Sequence, residues 1–107
     1  MRIIARRTLR QFVSSLAGKK DHIAVKAALD AWFGEVSKAE WTNSVDVNRL
    51  YATASIVSAE WIVFNIKGND YRLVMSVDFE KSIVWIKWIG THKAYDRIDV
   101  KEVKHGK

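Results

Sequence analysis

Hydrophobic positions in this chain change period near its middle. In the first half they fall at Leu9, Phe12, Val13 and Leu16, the i, i+3, i+4, i+7 spacing of one helical stripe. Thr8 suits the N-cap of that helix, and Gly18 its stop. Val25, Leu29, Trp32 and Val36 form a second stripe, with Asp21 placed to cap it. The short connection predicts an antiparallel helical hairpin whose apolar stripes need a sheet to cover. Arg2 to Ala5 reads as a short strand before it. From Ala39 to Ala54 the pattern weakens. Asn43 or Ser44 caps a short helix through Leu50 there, and Val45, Val47, Leu50 and Tyr51 are assigned to packing.

The second half alternates. Trp61 to Lys67, Tyr71 to Asp78 and Ile83 to Ile89 are rich in β-branched and aromatic residues, which predicts three strands. Lys67-Gly68-Asn69-Asp70 is a hairpin signal, because glycine at the first loop position suits a type II′ turn. A two-residue loop sets Ile66 opposite Tyr71, Asn65 opposite Arg72, Phe64 opposite Leu73 and Val63 opposite Val74. One face then holds Ile62, Phe64, Ile66, Tyr71, Leu73 and Met75 and meets the helices. The other holds Asn65, Lys67 and Arg72 among Val63 and Val74. A four-residue loop, Phe79 to Ser82, pairs Asp78 with Ile83. It puts Val84, Ile86 and Trp88 on the core face and Lys87 beside Val74. A one-residue slip would bury Lys87, so charge burial supports this register. The order β-α-α-(α)-β-β-β predicts a small α+β domain with helices on one sheet face.

At 107 residues the chain fits one domain, with a polar basic tail over about 99–107. No apolar run is long enough to span a membrane, and the N-terminal stretch lacks a signal-peptide core. The absence of cysteine excludes disulfides and thiolate metal sites, and fits a cytoplasmic protein. His22, His92 and His105 have no zinc-site spacing. His22 and His105 read as surface residues. The formal net charge of +6 points towards nucleic acid or an acidic partner.

The chemistry concentrates where the last strand ends. Trp88-Ile89-Gly90 runs into Thr91-His92-Lys93-Ala94-Tyr95-Asp96. The register brings this cluster near Asn65, Lys67, Arg72 and Lys87. Arginine offers a fork of donors to phosphate, and lysine a point charge. Histidine transfers protons near neutral pH, and tyrosine stacks on a base or transfers a proton. Each residue also has a plainer reading. The cations are solvated charges, Asn65 satisfies turn backbone, Tyr95 closes the core and Asp96 caps a turn. Convergence on one face favours the functional reading.

Two blocks carry a resemblance. Phe64-Asn65-Ile66-Lys67-Gly68-Asn69-Asp70-Tyr71-Arg72-Leu73-Val74, followed by Thr91-His92-Lys93-Ala94-Tyr95-Asp96, resembles the HigB family of bacterial toxins, RelE-like components of toxin–antitoxin pairs. The resemblance implies a RelE-like fold, a twisted antiparallel sheet with two N-terminal helices on one side. It also implies an endonuclease that cuts translated mRNA on the ribosome without metal or other cofactor. There a 2′-hydroxyl attacks the adjacent phosphate. Arg72 then stabilises transition-state charge, and His92 leads proton transfer. Tyr95 stacks on or orients the cut nucleotide, or shares proton transfer. Lys93 and Lys67 hold flanking phosphates, Lys87 adds to the phosphate-binding face, and Asn65 positions substrate or shapes the hairpin. Many RelE-like enzymes use lysines and arginines where this chain has His92 and Asn65, which leaves acid and base unassigned between residues.

The implied partners are a HigA-type helix-turn-helix antitoxin, the ribosome and mRNA. Arg2, Arg6, Arg7, Arg10, Lys19 and Lys20 are available for ribosomal phosphates, and an acidic antitoxin segment suits the same basic surface. Two other classes stay open. One is a non-catalytic RNA- or ribosome-binding module. The other is a toxin of this fold that binds another target, such as a topoisomerase.

Overall fold

A computed structural model describes residues 1–58 and 60–98. The tail over 99–107, with His105, lies outside the described residues. The chain runs β1 (Arg2–Ile4), α1 (Arg6–Ser15), α2 (His22–Lys38), α3 (Ser44–Leu50), β2 (Ser55–Ile56), β3 (Trp61–Ile66), β4 (Tyr71–Asp78), β5 (Ile83–Thr91) and α4 (His92–Tyr95). The five strands form one sheet in the order β1-β5-β4-β3-β2. β1 runs parallel to β5, and the other neighbours are antiparallel. The sheet is therefore mixed rather than antiparallel throughout. The helical hairpin between β1 and the rest supplies the crossover that a parallel pair needs.

The helices pack as their stripes dictate. Val25, Leu29, Trp32 and Val36 of α2 are all buried. They meet Ile62, Phe64, Leu73 and Met75 on the inner sheet face, with Trp32 edge-on to Phe64 at 5.6 Å. Phe12 of α1 meets Tyr71 edge-on at 5.8 Å. Asn43 caps α3 by accepting from the Asp46 amide, and Val47 is fully buried. Val45 and Leu50 are exposed, so only Val47 and the half-buried Tyr51 serve the packing assigned to this helix.

Two caps differ from expectation. α1 begins at Arg6 directly after β1, and Thr8 sits inside its first turn with its amide bonded to the Ala5 carbonyl. Asp21 precedes α2 but makes no side-chain cap. Its carboxylate accepts instead from the Tyr71 hydroxyl at 3.0 Å and lies 3.5 Å from the Lys67 ammonium. A buried phenol needs a hydrogen-bond partner, and Asp21 supplies it. Gly18, with φ of +80°, takes the left-handed conformation that ends a helix.

The β3–β4 register matches the hairpin expectation, including Asn65 opposite Arg72 and Ile66 opposite Tyr71. The β4–β5 loop likewise pairs Asp78 with Ile83. Beyond Met75 the ladder shifts. Met75 faces Ile86, but Val74 faces Trp88, leaving Lys87 as the extra residue of a β-bulge. Trp88 therefore joins the outer face, and Ile89 turns into the core. Strict alternation would bury the indole N–H and expose the isoleucine. The bulge moves Trp88 to the outer face and Ile89 into the core, while Lys87 stays outside.

Candidate functional site

The outer sheet face has an apolar floor of Trp61, Val63 and Val74, with Trp88 and Tyr95 packed against it. Arg72 stands at one end of this floor, half-buried and directly opposite Gly90. Its guanidinium donates to the Asn69 carbonyl at 3.0 Å and approaches the Tyr71 carbonyl at 3.4 Å. These bonds fix its position without neutralising it, and no carboxylate pairs with it among the described residues. A fixed, uncompensated guanidinium is an anion site.

Two residues past Gly90, β5 turns into α4. The His92 amide donates to the Asp70 carbonyl at 2.8 Å, which ties the turn to the β3–β4 hairpin. Thr91 caps α4 by accepting from the Ala94 amide at 3.0 Å. This short helix lies against β4 and β5, the strands that hold Arg72 and Gly90, and seats Tyr95 against Trp88. The imidazole Nε2 lies 3.3 Å from the Asp96 carboxylate, one helical turn on. Asp96 is also the C-cap of α4. Its carboxylate thus stands beside the His92 ring, while its backbone closes the helix.

The sequence reading missed Trp88 and Gly90 as members of this site. A Cβ built on Gly90 would lie 2.6 Å and 2.7 Å from two atoms of the Trp88 benzo ring. Glycine is what lets the indole lie across the main chain opposite Arg72. Tyr95 flanks the same indole, with ring centroids 6.1 Å apart. The signal was present as Trp88-x-Gly90, but strict alternation aimed Trp88 inwards. Lys87 stays on the outer face as expected, its ammonium 6.0 Å above the Trp61 ring. Trp88 rather than Lys87 stands opposite Val74.

Lys67 departs from its expected place beside Arg72. The β3–β4 ladder ends at Ile66, and Lys67 takes a left-handed φ of 52° that breaks the alternation of faces. Its ammonium turns to Asp70 at 3.0 Å and Asp21 at 3.5 Å, beside the start of α2. The bond to Asp70, then the charge of Asp21, raises the Lys67 pKa. Burial, then the bond to Asp21, raises that of Tyr71. Lys67 is thus a neutralised cation of the hairpin, apart from Arg72. Asn65 lies half-buried opposite Arg72, and Lys93 is exposed on α4. His22 is half-buried at the start of α2, away from the cluster. Among the described residues no three His, Asp or Glu side chains converge as a metal cage.

Arg72, His92, Tyr95, Trp88, Lys87, Lys93 and Asn65 thus share one side or one end of the sheet, while Lys67 stands apart. A model of the HigB toxin family, described as the RelE-like toxic component of a toxin–antitoxin system, matches residues 25–98. The chain belongs to this family. The match contains every residue of the cluster and leaves out β1 and α1. A comparison with curated proteins finds no match. As a HigB-family toxin the chain implies an antitoxin partner. No helix of the described residues is long and apolar enough to cross a membrane. An apolar groove of about 380 Å³ lies in the helical layer between α1 and α2, with Leu9, Leu29 and Phe33 in its wall and Arg6 and Arg10 also lining it.

Proposed function

We propose that this HigB toxin is a ribosome-dependent mRNA endonuclease that needs no metal and arrests translation in the cytoplasm. The observation that supports the reading is Arg72, bonded to carbonyls and to no carboxylate among the described residues, on the sheet face against which Tyr95 packs, with His92 on the same short helix as Tyr95. A 2′-hydroxyl that loses its proton attacks the neighbouring phosphorus. The P–O5′ bond breaks, and the departing oxygen takes up a proton. The products carry a 2′,3′-cyclic phosphate and a 5′-hydroxyl. Negative charge peaks on the non-bridging oxygens, where a rigid guanidinium is most effective. Arg72 takes that role because carbonyls hold it and, among the described residues, no carboxylate competes for it.

His92 is the leading proton carrier, with Asp96 orienting its ring. Tyr95 orients the cut nucleotide or shares the transfer. Lys93 and Lys87 meet flanking phosphates, and Asn65 shapes the floor beside Arg72. Lys67 contributes less, because two carboxylates already hold its charge. The partner that silences the toxin is a HigA-type helix-turn-helix antitoxin. The test is to map mRNA 5′ ends in a cell-free translation reaction, with and without ribosomes, for the parent and His92→Ala. Ribosome-dependent cuts within codons that vanish in the mutant support the endonuclease. No cuts from folded parent protein would favour a non-catalytic RNA-binding module or another target.

A further inference from the structure

We infer that the Trp88 indole, seated on Gly90, is a nucleobase subsite of this toxin. It takes one unpaired base by stacking and so sets the phosphate of that nucleotide against Arg72. The inference rests on the endonuclease reading and adds a residue and a ligand class to it.

Three observations support the subsite. First, the bulge at Lys87 brings Trp88 out of the core. A large apolar ring is thereby left half-exposed on the face that holds the candidate catalytic groups. Second, Gly90 has no side chain where any Cβ would meet the indole at 2.6 Å. The ring therefore lies down on the strand beside Arg72 instead of standing away from it. Third, Tyr95 flanks the indole with its ring tilted by 50°. This holds the ring from one side without covering it as a parallel stack would. The result is a fixed aromatic shelf, with Arg72 at the strand position opposite Gly90 and the Tyr95 ring at its flank.

A phosphodiester offers charge to Arg72 but little else to a sheet face. Its base offers a flat π surface, and base–aromatic stacking is worth about 1–3 kcal/mol per base, or roughly 5- to 150-fold in binding. Stacking accepts any base, so the shelf contributes placement rather than sequence choice. It is a positioning element: the indole holds the nucleotide, and Arg72 and His92 act on the phosphate.

The test uses programmed ribosomes carrying an mRNA whose vacant codon has an abasic nucleotide at each of its three positions in turn. Parent, Trp88→Leu, Trp88→Phe and Gly90→Ala are compared, with thermal melting as a check of folding. Trp88→Leu should lower kcat/KM about 10-fold or more on the intact codon, and Trp88→Phe should restore most of the loss. Gly90→Ala, which displaces the ring, should behave as Trp88→Leu. At one abasic position parent and Trp88→Leu should become equal, because the two changes remove the same contact. A Trp88→Leu defect that persists at all three abasic positions, or a folded Trp88→Leu as active as the parent, overturns the shelf and leaves the endonuclease intact. A parent that cuts no ribosome-bound mRNA overturns the endonuclease reading and the shelf with it.

Discussion

At the scale of single residues, the side chains that matter are those whose partners leave something over. The sequence put Arg72 and Lys67 on one sheet face, Arg72 for transition-state charge and Lys67 for a flanking phosphate. Among the described residues Arg72 bonds carbonyls and no carboxylate, whereas Lys67 sits within 3.5 Å of two carboxylates. We expect Arg72→Ala to slow single-turnover cleavage on programmed ribosomes about 10²- to 10³-fold, the usual loss for one donor to developing charge. Arg72→Lys should fall between, because it keeps the charge and loses the planar fork. Lys67→Ala should change the rate little. A Lys67→Ala defect as deep as that of Arg72→Ala would show that its ion pairs open for substrate. The sequence made the strand position of Arg72 legible because the hairpin register could be counted, and it singled out His92 and Tyr95 by the chemistry their side chains can do. It could not reveal the state of Lys67. That depends on one left-handed backbone angle and on Asp21, some 46 positions earlier in the chain.

At the scale of elements, the same contrast separates what local pattern encodes from what the sheet imposes. The two amphipathic helices and both antiparallel hairpins were readable, because their stripes and turns are local. The parallel pairing of β1 with β5, the two-residue β2 and the bulge at Lys87 were not. Each is set by a neighbour distant in sequence, and alternation runs through Lys87 without a mark. The four-residue α4 is too short to show a period. It exists because Thr91 caps it and the hairpin tip holds the His92 amide. Thr91→Ala should therefore loosen α4 by about 1 kcal/mol, seen as faster hydrogen exchange at the Ala94 amide. Cleavage should fall with it, while the global melting temperature stays close to the parent's, since α4 adds no fully buried residue to the core. Unchanged exchange at Ala94 would mean that the Asp70 carbonyl alone is enough to hold the turn.

At the scale of the whole molecule, charge and proton linkage act on different surfaces. Arg2, Arg6, Arg7, Arg10, Lys19 and Lys20 are all exposed, and those on α1 belong to the helical layer, across the sheet from Arg72. Reversing Arg7 and Arg10 to glutamate should raise KM on ribosomes and flatten its salt dependence, leaving the rate of bound complexes unchanged. A loss confined to kcat would place these arginines in the chemistry instead. Stability responds to a separate set of groups. Burial and the bond to Asp21 raise the Tyr71 pKa. Burial and the bond to Glu35 push that of Tyr51 well above the phenol range. A phenol whose folded pKa exceeds its unfolded value keeps its proton longer in the native state. Between the two values the native state binds more protons, so unfolding free energy falls as pH rises. The tyrosine contribution is thus complete below the unfolded value near 10 and is lost above it. Urea unfolding followed from pH 8 to 11.5 should show this decline. Tyr71→Phe has no proton to lose there, so its curve should be shallower. At pH 8 it should be the less stable protein, since Asp21 loses a hydrogen-bond donor and keeps only the Lys67 ammonium. The two curves should therefore converge as pH rises. Parallel curves would assign the alkaline loss to Tyr51, with its contact to Glu35, and to Lys67, whose pKa is also raised; a Tyr51→Phe variant that flattens the slope would then single out Tyr51.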